Sequence, residues 1–207
     1  MVTVSVGARI NDIANMTTMN PKIFVVFTIL LLCSVAFSLF YNNPKTTIIL
    51  EDPTQNLTCI TKIEEKTVRG TSLTGLIENG QTVKILYGYY NCNEIKRNDI
   101  VIYNYTGNKN PLIKIIKALP GDKFSLEKTQ AGWNILINNE IAKNSNNQYY
   151  VLSESGYKML SLYEKDYKGI IPQNTYLILG NLADGSLDST KFGLVDKSDI
   201  IGKVEFS

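Results

Sequence analysis

The chain has 207 residues with 21 basic and 19 acidic side chains, a formal net charge of +2. This length supports one domain with room for a second small lobe, and a nearly balanced charge without a basic, aromatic-interleaved stripe excludes a nucleic-acid surface. There is no histidine, which excludes Ser-His-Asp and Cys-His catalysis and any histidine-ligated zinc. A hydrolase built from this chain must take its base from Lys, Asp, Glu or Tyr.

Residues 1–22 read as a short unstructured tail, with Met1 and Met19 both open as the true start. Residues 23–41, IFVVFTILLLCSVAFSLFY, carry no charge. As a helix rising 1.5 Å per residue this run reaches roughly 28 Å, close to the ~30 Å hydrocarbon core of a bilayer. A cleaved secretory signal competes with that reading, because Ser34 and Ala36 mimic a small-residue cleavage site. The run continues through Phe37, Leu39 and Phe40, which is long for such a signal. An uncleaved transmembrane helix is therefore expected. Arg9 and Lys22 before it, against Lys45 after it, put the N-terminus inside and the body, residues 42–207, outside the plasma membrane.

The body is expected to be mainly β, with little helix. Twelve Tyr and seven Phe among short Ile/Val/Leu runs favour strands. Residues 42–66 read as a stalk with one or two strands, 46–50 the clearest. Strands follow at Thr82–Tyr87, 99–105 and 112–119, the last closed by the turn Pro120-Gly121-Asp122. Residues 133–137 and 140–142, joined by Asn138-Asn139, read as a hairpin. Residues 143–170 are polar and poorly periodic, and 123–175 as a whole reads as an inserted lobe of strands and loops. Thr175–Leu179 is a clean apolar strand, 181–190 a polar loop, and 200–206 a last strand. Cys33, Cys59 and Cys92 fit no metal spacing; Cys59 and Cys92 either pair, if the body lies outside the cell, or remain two free thiols.

A serine hydrolase without histidine needs a lysine whose amine is neutral, which burial among apolar groups provides. Lys114 meets that need, flanked by Ile113, Ile115 and Ile116. Strand alternation puts Lys114 and Lys117 on opposite faces, so that one is buried and the other solvated. The serine needs a tight turn exposing its hydroxyl beside backbone N–H groups. Ser72, between Gly70 and Gly75, sits in such a turn. Taken singly, a serine between glycines is a turn residue and a strand lysine is an edge gatekeeper.

Four blocks in order resemble the type I signal peptidases, a family of membrane-bound Ser-Lys endopeptidases. The first is the apolar span. The second runs from Gly70-Thr71-Ser72-Leu73-Thr74-Gly75 to Gly80, similar to Gly-x-Ser-Met-x-Pro-Thr-Leu and its following turn. The third is Lys96-Arg97-Asn98-Asp99-Ile100-Val101, similar to Lys-x-Gly-Asp-hydrophobic-Val. It leads into Ile113-Lys114-Ile115-Ile116-Lys117-Ala118-Leu119-Pro120-Gly121-Asp122, similar to (Ile/Val)-Lys-Arg-x-x-Gly-x-Pro-Gly-Asp. The fourth, from Gly180-Asn181 through Asp184-Gly185-Ser186-Leu187-Asp188-Ser189 to Phe192-Gly193, is similar to Gly-Asp-Asn-x-x-Asp-Ser-x-Asp-Ser-Arg-x-aromatic-Gly.

The resemblance implies a coiled β-sheet peptidase domain with Ser72 as nucleophile and Lys114 as general base. It implies that Ser186 hydrogen-bonds the lysine amine, and that Asp184 and Asp188 support its loop. It further implies part of an oxyanion hole from the Ser72 N–H, no cofactor and no metal. Secretory preproteins carrying small residues before the scissile bond are the implied substrates, cut beside membrane lipid. The chain departs from the pattern at Leu73 (for Met), Gly75 (for Pro), Asn181 (for an acid) and Thr190 (for Arg). Those departures leave two rivals: a specialised Ser-Lys processing peptidase of the conjugation or pilin type, and a non-catalytic anchored binding domain.

Overall fold

The computed structural model describes residues 56–105 and 110–206. The expected tail (1–22), the expected span (23–41) and the strand expected at 46–50 lie outside the described residues. No helix among the described residues is long and apolar enough to cross a membrane.

Eleven strands make up two antiparallel sheets: β1 (Lys62–Thr67), β2 (Thr82–Tyr87), β3 (Ile100–Tyr103), β4 (Leu112–Ala118), β5 (Phe124–Lys128), β6 (Trp133–Ile137), β7 (Glu140–Ile141), β8 (Val151–Leu152), β9 (Thr175–Leu179), β10 (Val195–Asp196) and β11 (Ile200–Glu205). The larger sheet has the order β1-β2-β11-β3-β4-β9-β10, and the smaller has the order β5-β6-β7 with β8 also on β6. The mainly β expectation is met, and the smaller sheet forms a lobe of its own. The smaller sheet lies between β4 and β9 in the chain, which are themselves hydrogen-bonded neighbours.

The lobe also contains a helix that the sequence reading did not anticipate, α1 (Glu154–Asp166), capped by Ser153, whose side chain accepts from the Gly156 N–H. Only Gly156 and Leu160 of α1 are buried. Leu160 packs with Phe124, Ile135, Leu152 and Leu177, joining lobe and main sheet in one apolar cluster. A second short helix, α2 (Ser189–Phe192), is capped by Asp188.

Alternation decides which face of the main sheet carries what. Val83, Ile85, Ile102, Ile115 and Val204 line one face, with Leu73 and Ile77 from the serine turn packed on them. Ile77 and Ile85 are wholly buried, each contributing about 2 kcal/mol of hydrophobic stabilisation. The turn carrying Ser72 is thus fixed to the sheet by its own apolar side chains.

Two expectations are settled here. Cys59 and Cys92 form a disulfide, with Cα atoms 5.9 Å apart, so the free-thiol alternative does not hold. The expectation that one of the two β4 lysines is solvated also fails. The β4–β9 register shifts between Ile116 and Ala118, making Lys117 the extra residue of a bulge, and it is only 8 % exposed. Its amine donates to Asn98 Oδ1 at 3.2 Å and to Lys143 O at 3.0 Å, so the lobe supplies the polar partner that solvent was expected to supply. Asn98 takes φ +67° where the family pattern has glycine, a left-handed conformation that asparagine tolerates.

Candidate active site

Lys114 points from the centre of β4 toward the turn at residues 70–77. That turn is closed by the Thr74 N–H to Thr71 O at 3.0 Å and the Ile77 N–H to Leu73 O at 2.9 Å. Ser72 is half-buried at its head. Lys114 Nζ donates to Ser72 Oγ at 2.8 Å and to Ile113 O at 2.9 Å. The lysine is 2 % exposed. Burial lowers its pKa from 10.5 to about 8, with the negative charge of Asp188 opposing part of that shift. A large fraction of the amine is therefore neutral at mildly alkaline pH, within proton-transfer reach of a hydroxyl.

A cavity of 620 Å³ opens beside this pair, lined by Val68, Arg69, Leu73, Ile102 and Leu112 together with Ser72 and Lys114. Another, of 680 Å³, lies around Lys117, Arg97 and Tyr149. Its cations are engaged: Arg97 pairs with Asp122 at 2.8 Å, Lys117 is held as described above, and Lys143 lies over the Tyr149 ring, 5.0 Å from its centre. Of the two, it is the cavity at Ser72 that sets an aliphatic hydroxyl in direct contact with a buried amine, at 2.8 Å. Among the described residues no group of three or more Cys, Asp or Glu side chains converges as a metal site.

Asp188 is 1 % exposed and organises the loop behind the pair. Its Oδ2 accepts from the Gly180 N–H at 3.0 Å and from Ser186 Oγ at 2.7 Å. Its Oδ1 accepts from the Thr190 N–H at 3.0 Å and from Thr190 Oγ1 at 2.8 Å. Thr190, standing where the family pattern has arginine, thus satisfies the carboxylate with neutral donors, and charge-assisted hydrogen bonds take the place of an ion pair. Ser186 is near but differently engaged than expected. Its hydroxyl is bonded to Asp188, and among the described residues no hydrogen bond joins it to Lys114. Asp184 is exposed, and its carboxylate makes no hydrogen bond or ion pair with the described residues, so it contributes nothing visible to the support of the loop.

The structure adds contacts and roles that sequence reasoning did not assign. Tyr150 OH donates to Gly180 O at 2.6 Å. Asn181, 2 % exposed, donates its N–H to Ser72 O at 2.7 Å and its amide to Thr74 O at 2.9 Å. Asn144, 5 % exposed, donates to Asn181 O at 2.9 Å. Gly75, with φ +84°, adopts a conformation closed to the proline of the family pattern. A Cβ there would fall 2.6 Å from Asn146 Nδ2. The sequence signals for these contacts were the departures at Gly75 and Asn181 and the polar character of residues 143–148.

The model of the family described as signal peptidase, peptidase S26, matches residues 53–207. Signal peptidase IB of Staphylococcus aureus strain COL is 26 % identical over 148 residues, covering 68 % of this chain and 74 % of that protein. The signal peptidase IB of strain N315 gives the same identity and coverage. The crystal structure of a signal peptidase I from Enterococcus faecalis V583 superposes with a TM-score of 0.39 at 21 % identity, over 55 % of this chain and 98 % of that one.

Proposed function

The chain belongs to the signal peptidase family, peptidase S26, and is a serine endopeptidase; we propose that it removes signal peptides from secretory preproteins with a Ser72–Lys114 dyad. The 2.8 Å contact between Lys114 Nζ and Ser72 Oγ, with the amine buried, carries the reading.

In the first half-reaction Ser72 Oγ attacks the scissile carbonyl while the neutral amine of Lys114 takes the hydroxyl proton. The Ser72 N–H stabilises the developing oxyanion. Collapse of the tetrahedral intermediate breaks the C–N bond, and the ammonium returns the proton to the leaving amine, which departs as the new N-terminus of the mature protein. In the second half-reaction Lys114 takes a proton from water, the hydroxide attacks the ester, and Ser72 recovers its proton as the signal peptide leaves with a free carboxylate. Asp188 acts at a distance: its charge limits how far the lysine pKa falls, and its hydrogen bonds hold the loop against which the pair packs.

The cavity at Ser72 receives the residues before the scissile bond, with small side chains at the first and third positions. The uncharged run at 23–41 anchors the enzyme as a single-pass membrane protein with the catalytic body outside. The Cys59–Cys92 disulfide supports that orientation, because such bonds persist in oxidising compartments. The test is incubation of the lipid-reconstituted protein with a preprotein carrying an Ala-x-Ala site. Cleavage after the second Ala, lost when either Ala is replaced by Phe, is expected. Equal cleavage of the Phe-bearing preproteins would contradict the substrate assignment.

A further inference from the structure

Asn181 holds the nucleophile's turn at two points. Its N–H meets Ser72 O, and its side-chain amide meets Thr74 O, two residues further on. The same NH₂ donates to Ser145 Oγ at 2.8 Å, and Oδ1 accepts from the Ser145 N–H at 2.9 Å. Only an amide satisfies this arrangement, because Thr74 O can only accept and the Ser145 N–H can only donate. A carboxylate of the same shape, as the family pattern has here, would set an oxygen against Thr74 O.

The partner of this side chain comes from the lobe. Asn144 Oδ1 accepts from the N–H groups of Asn146 and Gln148, at 2.9 Å each, which fixes the loop that presents Ser145. Gly75 leaves room for Asn146 on the same side. The proline-to-glycine and acid-to-amide departures thus meet in one contact between the lobe and the serine turn.

We infer that Asn181, backed by Asn144 and Ser145, is a positioning residue that sets Ser72 against Lys114, so that the lobe governs the chemical step. The inference rests on the reading of Ser72 as nucleophile. It acts through backbone placement: displacing a reacting group by about 1 Å costs up to 100-fold in rate.

The test compares wild type, Ser72→Ala, Asn181→Asp and Ser145→Ala, all full-length in lipid, by preprotein cleavage and by amide hydrogen exchange of residues 72–76. Asn181→Asp restores the family's residue type, yet it is expected to lower kcat roughly tenfold or more with KM close to wild type, a lowered Tm from the two facing acceptors and faster exchange at 72–76. An unchanged kcat, or a loss confined to KM, overturns the inference. Ser145 is exposed, so Ser145→Ala keeps the fold; if Asn181→Asp fails to fold, a wild-type kcat in Ser145→Ala overturns the inference and a several-fold drop supports it. If wild type cleaves no preprotein, the reading of function falls by itself. Exchange then decides the clip: unchanged protection at 72–76 in Asn181→Asp overturns it, and lost protection supports it.

Discussion

The carbonyl oxygen of Ser72 lies 2.7 Å from the point where a Cβ on Gly180 would stand, with the Ser186 hydroxyl closer still. Gly180 is the place where the strand end of β9 slides past the serine turn, its N–H on Asp188 and its carbonyl on Tyr150. Backbone on one side and a hydrogen-bonded loop on the other leave a methyl group no room. Gly180→Ala is expected to cost about 1–3 kcal/mol, the usual penalty of overpacking, and to lower cleavage more than that loss of stability explains. Thermal melts alongside single-turnover rates check both halves.

The pH dependence follows from the buried amine. The proposed base, Lys114, works only when neutral, and burial lowers its pKa to about 8. The rate under kcat/KM conditions is expected to rise roughly tenfold per pH unit below that value and to level off above it. A cleavage profile from pH 6 to pH 10 measures this. A midpoint near the ordinary lysine value of 10.5 would mean that the amine is solvated in the working enzyme.

Burial of Lys114 carries a cost in stability. The folded chain releases the lysine proton at about 8, whereas the unfolded chain holds it to 10.5. The unfolded state thus binds more protons across that window, and stability rises with pH through it. Below about 8 both states are charged and the full penalty stands, about 3 kcal/mol from the size of the shift; above 10.5 both are neutral and it is gone. Lys114→Met is therefore expected to be more stable than wild type below pH 8, with the advantage fading as pH rises toward 10.5. Denaturant titrations at pH 6.5 and pH 10.5 show this directly.

Thr190 tests the substitution of neutral donors for an ion pair. Thr190→Val keeps the shape and the N–H contact to Asp188 but removes the Oγ1 donor, which is buried with its acceptor. The expected loss is about 2 kcal/mol, the usual worth of a hydrogen bond to a charged group. Urea midpoints at fixed pH measure it.

How much of this was legible beforehand differs by element. The bounds of β2 and β9 agree with their apolar runs. The hairpin of β6 and β7 follows from Asn138 and Asn139, both at positive φ, as a two-residue hairpin turn requires. The one or two strands expected at 42–66 do not place the edge strand β1, because Lys and Glu cover it, as suits a strand with a free edge. The helix α1 was hidden because its buried residues are too few to show a period. Alternation could not foresee the bulge at Lys117. For the site, the motifs named Ser72 and Lys114, which the fold brings into contact across 42 residues. They did not show that Ser186 turns to Asp188, that Asp184 faces solvent, or that Asn181 holds the turn, because those depend on side-chain direction in a loop rather than on spacing.

The central claim is that one hydroxyl and one uncharged amine together break the peptide bond, and cleavage of an Ala-x-Ala preprotein by purified wild type, Ser72→Ala and Lys114→Ala in lipid tests it most directly. The account predicts a single cut by wild type that strengthens as pH rises through about 8, and no detectable product from either variant although both remain folded. Product formed at the wild-type rate by either variant would contradict it.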